Sequence, residues 1–97
     1  MPVTQEEIEK SVEILRSYGA TRILLFGSAA ETPETAHDLD LAVDGIEGRA
    51  FFTAGAKVED ELDLSLDLVP LTPPSRFARY IERKGRVLYD RPSASED

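Results

Sequence analysis

Two aspartates alternate with two leucines in His37-Asp38-Leu39-Asp40-Leu41, a stretch that continues as apolar strand through Ala42-Val43. Residues i and i+2 on a strand share a face. Leu39 and Leu41 therefore anchor one side of the strand in a core, and Asp38 and Asp40 emerge together from the other. Two carboxylates so placed repel each other and are costly among apolar neighbours unless a cation or hydrogen bonds compensate them. The segment calls for a sheet with one side packed and the other holding a site. A third carboxylate, Asp67 in Leu66-Asp67-Leu68-Val69, lies 27 residues beyond Asp40 in another apolar strand pattern.

The rest of the chain supplies that sheet and its helices. Thr4 with Glu7 reads as a capping box opening a helix to about Tyr18, with Ile8, Val12 and Leu15 on one face and Gly19 as the stop. Arg22 to Phe26 reads as a strand apolar on both faces, as when helices cover both sides. Gly27-Ser28-Ala29-Ala30-Glu31 reads as a tight turn into a short helix, and Asp38 to Val43 as the second strand, closed by Asp44-Gly45. A helix is expected from about Gly48 to Leu62, with Phe51 or Phe52, Ala56 and Val58 inward, although Gly55 weakens it. The third strand is expected over Leu64 to Leu71. Ser75 is the expected N-cap of a helix ending at Gly85, with Phe77, Tyr80 and Ile81 inward. Val87-Leu88-Tyr89 reads as a short last strand. The fold class is α/β (α+β), a small mixed sheet flanked by helices, in one domain over 1–91; residues 92–97 read as a frayed tail.

Composition narrows the function. The 97 residues carry a formal charge of −8, still −5 without the three aspartates. Such a surface repels a phosphate backbone, which argues against direct binding of DNA or RNA and favours a basic protein or a substrate arriving with divalent cations. No cysteine is present, so neither a disulfide framework nor a thiolate zinc site is available. No long apolar run suggests a membrane span, and the first residues lack the basic and apolar regions of a signal peptide, so a cytoplasmic location is expected.

The carboxylates match hard-metal chemistry. Oxygen ligands select Mg²⁺ or Mn²⁺, and Mg²⁺ prefers one or two carboxylates together with water and substrate phosphates. If the second and third strands are neighbours, Asp67 joins Asp38 and Asp40, ligates metal and accepts a proton from an attacking hydroxyl. Gly27 lets a phosphate approach the backbone, and Ser28 offers a hydroxyl and an N–H to it. Asp63 competes with Asp67, because Leu62-Asp63-Leu64 has the same form; Asp67 lies deeper in its strand. Asp44 reads as a turn residue, and His37, the lone histidine, as a surface or capping residue. Arg76, Arg79, Arg83, Lys84 and Arg86 make the last helix and its exit basic, as a solvated face or a contact to partner or nucleotide.

The motifs Leu25-Phe26-Gly27-Ser28, His37-Asp38-Leu39-Asp40-Leu41-Ala42-Val43, Leu66-Asp67-Leu68-Val69 and Ile81-Glu82-Arg83-Lys84-Gly85-Arg86-Val87-Leu88-Tyr89 resemble the minimal nucleotidyltransferases of the DNA polymerase β-like superfamily. The resemblance covers nearly the whole chain. It implies Mg²⁺-dependent transfer of a nucleotide, commonly AMP from ATP, to a protein hydroxyl; in the antitoxin branch this is a tyrosine of a HEPN toxin, silenced by the AMPylation. By position it makes Asp38, Asp40 and Asp67 the metal-binding and catalytic carboxylates and Gly27 and Ser28 the phosphate-binding pair. The sequence departs from the family where a basic, glycine-containing turn usually follows the Gly-Ser: here the stretch is Ala29-Ala30-Glu31-Thr32. A second reading draws on that departure, an antitoxin module that neutralises its partner by binding alone. A third, transfer to an antibiotic, would normally need a further domain to hold the acceptor.

Overall fold

The structure, a computed structural model, describes residues 2–91; the expected tail at 92–97 lies outside the described residues. The elements follow in the order α1 (Gln5–Ser17), β1 (Arg22–Phe26), α2 (Ser28–Glu31), β2 (Asp38–Asp44), α3 (Arg49–Leu62), β3 (Ser65–Pro70), α4 (Arg76–Lys84) and β4 (Arg86–Asp90). The sheet has the order β3-β2-β1-β4. β1 runs antiparallel to β2 and β4, and β2 runs parallel to β3 with α3 as the connection. The sheet is therefore mixed, and β2 and β3 are neighbours.

Local chemistry explains the element ends. Thr4 and Glu7 form the capping box reciprocally, side chain to backbone in both directions, at 3.1 and 2.9 Å. Each satisfies an N–H that the first helical turn leaves without a partner. Ser75 caps α4 by accepting from the Ala78 N–H at 3.0 Å. Among the described residues no helix is long and apolar enough to cross a membrane.

The strand alternation sorts the core into two layers. Ile23 and Leu25 of β1 and Leu39, Leu41 and Val43 of β2 pack beneath α1 and α3 with Ile8, Leu15, Ala54 and Val58. On the opposite face Leu24 and Ala42 pack with Leu71 and with Ala78 and Ile81 of α4, and Phe26 and Val69 border them. One face thus carries two long helices and the other only the nine residues of α4.

Two helices turn differently from expectation. In α3 the buried positions are Ala54 and Val58, with Phe51 half-buried; Phe52 is 76% exposed and Ala56 is exposed. The stripe runs Phe51, Ala54, Val58, Leu62 at helical spacing, one step away from the frame that includes Ala56. Gly55 faces β3 closely enough that a Cβ there would touch Leu68 at 3.6 Å, so it serves packing and leaves the helix unbroken. In α4 Ile81 is buried as expected, but its companion is Ala78; Phe77 and Tyr80 remain 50% and 46% exposed. A helix this close to the sheet seats a small residue at its contact point and pushes the large rings to its flanks.

Candidate functional site

The register places the acidic residues. β1, β2 and β3 align Phe26 with Asp40 and Asp40 with Asp67, so Phe26, Asp40 and Asp67 form one row across the sheet. The row shares its face with Leu24, Ala42 and Val69, which border α4. Asp38 lies two residues before Asp40 on that face, opposite Ser65. α4 covers the Leu24–Ala42 row, whereas Asp40 is half-buried and Asp38 and Asp67 are exposed.

Gly27 closes the site from the end of β1. Its backbone, at φ 72° and ψ −154°, lies in a region open essentially only to glycine. A Cβ built there would collide with a carboxylate oxygen of Asp40 and lie 3.0 Å from its Cγ. The glycine therefore permits the sharp turn out of the strand and also leaves room for the Asp40 carboxylate. Ser28 follows, exposed, as the first residue of α2, and the Gly27 carbonyl accepts the N–H groups of Ala30 and Glu31 at 3.1 and 3.2 Å.

The electrostatics of the row are unfavourable as it stands. Burial, then the charge of Asp67, then that of Asp38, raise the Asp40 carboxyl above its ordinary range. Each of these causes penalises the ionised form. The three carboxylates lie on one face of the sheet, but among the described residues no three His, Cys, Asp or Glu side chains are grouped closely enough to hold a metal ion together. Asp38 stands one step off the row, opposite Ser65. The donor set still suits a hard divalent cation: it is all carboxylate, it sits beside a glycine that admits a close approach, and its most buried member gains from a positive neighbour.

The competing acids are placed elsewhere. Asp63 is the left-handed cap of α3, at φ 51°, with its N–H bonded to the Glu59 carbonyl at 2.9 Å; it precedes β3 and is no member of the row. Asp44 accepts from the Gly45 N–H at 3.0 Å and the Thr72 hydroxyl at 2.9 Å, at the far end of β2. His37 is exposed just before that strand. Phe26 is the neighbour of the site that sequence reasoning took only as a strand residue; its place as the last residue before Gly27 was the available signal.

A family model described as polymerase beta nucleotidyltransferase matches residues 9–94. The chain belongs to that family. No curated protein sequence matches the chain. Solved structures share its fold. One is the tri-AMPylated Shewanella oneidensis HEPN toxin in complex with MNT antitoxin, at 25% identity and a TM-score of 0.69, covering 96% of this chain and 76% of that chain. The MntA–HepT toxin–antitoxin structure matches at 24% identity and a TM-score of 0.69, over 97% of this nucleotidyltransferase and 77% of its counterpart. A toxin–antitoxin structure with AMP-PNP matches at 23% identity and a TM-score of 0.69, over 94% and 75%.

Proposed function

We propose that this nucleotidyltransferase moves a nucleoside monophosphate, AMP from ATP, onto a hydroxyl of a partner protein, and that the partner is a HEPN-type toxin for which the chain is the antitoxin. The observation that carries the reading is the pairing of Asp40 with Asp67 on adjacent parallel strands, with Gly27 pressed against the Asp40 carboxylate. Membership of the nucleotidyltransferase family supports the reaction class. The partner and nucleotide are supported by the similar structures, one of an AMPylated HEPN toxin with an MNT antitoxin and one containing AMP-PNP.

In this reading Asp38, Asp40 and Asp67 hold Mg²⁺ or Mn²⁺, which when bound offsets the triphosphate charge and that on the entering and leaving oxygens. Gly27 and Ser28 bind phosphate: the glycine admits it to the backbone, and the serine N–H and hydroxyl donate to its oxygens. The acceptor oxygen forms its bond to the α-phosphorus as the bond to pyrophosphate breaks, and pyrophosphate leaves. The hydroxyl proton passes to a carboxylate oxygen of Asp67, which is exposed on the edge strand where an incoming acceptor can reach it. One catalytic domain over 1–91 and a cytoplasmic location, where ATP is at hand, belong to the same proposal.

The test is a mass measurement on the partner toxin after incubation with the purified chain, ATP and Mg²⁺. The expected result is one or more added AMP groups, lost with Asp38→Ala, Asp40→Ala. A specific observation favours the second reading, neutralisation by binding alone: residues 27–36 contain no cation and carry Glu31 and Glu34. An unmodified partner, still inhibited by the double variant, would establish it in place of the first.

A further inference from the structure

The chain's positive charge is concentrated from α4 onward and is missing from the turn after Gly27. Arg76, Arg79, Arg83, Lys84, Arg86 and Arg91 are six of its eleven basic residues, in a protein of net charge −8. Among the described residues the one ion pair of α4 joins Glu82 to Arg22 at 2.7 Å, so the α4 cations have no carboxylate partner. This helix lies on the same face of the sheet as the acidic row.

Two contacts fix how α4 is turned. The Phe77 ring meets Phe26 edge-on, with centroids 5.8 Å apart, and Phe26 is the row neighbour of Asp40. The opposite flank carries Glu82, which reaches Arg22 at the other end of β1. With about 3.6 residues per turn, Lys84 lies two turns along the helix from Phe77, and Tyr80 lies beside that line on the side away from Ala78 and Ile81. Phe77, Tyr80 and Lys84 therefore share the flank that looks toward the Gly27 end of the sheet. Its two rings, set on the flank by the close contact of Ala78 with the sheet, stay half-exposed.

We propose that this flank of α4 is the nucleotide-holding wall of the site: Tyr80, half-exposed on it, stacks on the nucleobase, and Lys84 supplies the phosphate counter-charge that the turn after Gly27 lacks. The inference rests on the nucleotidyl-transfer reading and adds to it the residues that select a nucleoside triphosphate over a bare polyphosphate. An aromatic platform takes any base by its π-face and a nearby cation takes its phosphates.

The experiment titrates the full chain with Mg²⁺–ATP and with Mg²⁺–tripolyphosphate. Tyr80 and Lys84 are exposed, so their substitutions leave the fold in place, checked by an unchanged melting temperature. Tyr80→Ala should weaken ATP binding about tenfold and leave tripolyphosphate unchanged. Tyr80→Phe should retain ATP affinity, and Lys84→Ala should weaken both ligands by a similar factor. If the wild type binds ATP and the variants bind it equally well, or if Tyr80→Ala weakens both ligands alike, the wall is refuted and the transfer reading stands. A wild type that binds no Mg²⁺–ATP overturns both.

Discussion

The carboxylate of Asp40 fills the space in which a side chain on Gly27 would stand. The last residue of a strand turn and a half-buried acid on the neighbouring strand are thus matched in shape. Gly27→Ala should lose on two counts. The backbone there, at φ 72° and ψ −154°, costs a residue with a Cβ roughly 1–3 kcal/mol. The methyl must also displace the Asp40 carboxylate. For a chain of this size a loss of about 1 kcal/mol lowers the melting temperature by roughly 4–8 °C, which thermal unfolding followed by circular dichroism would read. A variant melting with the wild type would show that the turn has other conformations open to it.

Asp40 should make the stability of the metal-free protein depend on pH. Its carboxyl is raised by burial first and then by Asp67 and Asp38, so between the ordinary carboxylate value and the raised one the folded state holds more protons than the unfolded. Stability then falls as pH rises through that window. Asp40→Asn removes the ionisable group. It should melt above the wild type at neutral pH without divalent cations, and the gap should close as pH drops below the ordinary carboxylate range. A constant gap across pH would refute the repulsion read from the row.

The shared face of the acidic residues was legible because strand alternation has a period of two. Leu39 and Leu41 could be buried only if Asp38 and Asp40 shared the other face, and Leu66 and Leu68 placed Asp67 likewise. The pairing of β2 with β3, which brings Asp67 opposite Asp40, was not legible, since it depends on how α3 returns the chain. Helical frames were harder to read. Phe51-Phe52, Ala54 and Ala56 fit two adjacent stripes almost equally, and α3 resolves them by burying Ala54 against the sheet. In α4 the aromatic rings looked like core, yet the small Ala78 takes the contact. Asp63 and Asp67 have the same sequence form and differ in that Asp63 ends a helix in a left-handed turn.

The α3 frame has its own test. Ala54 is fully buried, so Ala54→Leu forces added carbons into filled space and should cost about 1–3 kcal/mol. Ala56→Leu, on an exposed position, should change stability by no more than about 0.5 kcal/mol. Urea denaturation of both separates the two stripes, and the reverse order of losses would restore the frame that buries Ala56.

Asp67 separates catalysis from stability. It is exposed on the edge strand, and its charge is one of the causes that raise Asp40. Replacing it by asparagine keeps the shape, removes a negative charge from the row and takes away the proposed proton acceptor. Asp67→Asn should therefore melt no lower than the wild type. Its nucleotide transfer to the partner toxin should fall by about 10²–10⁴-fold, the range supplied by a positioned general base, and chelating divalent cations should abolish transfer by the wild type. The measurement is the initial rate of AMP addition to the partner, by intact-protein mass spectrometry, at several pH values. A loss from base removal appears in the rate at saturating ATP, whereas a loss of binding is recovered by raising ATP. Transfer at the wild-type rate in Asp67→Asn would remove this residue from the chemistry and leave Asp38 and Asp40 as the working pair.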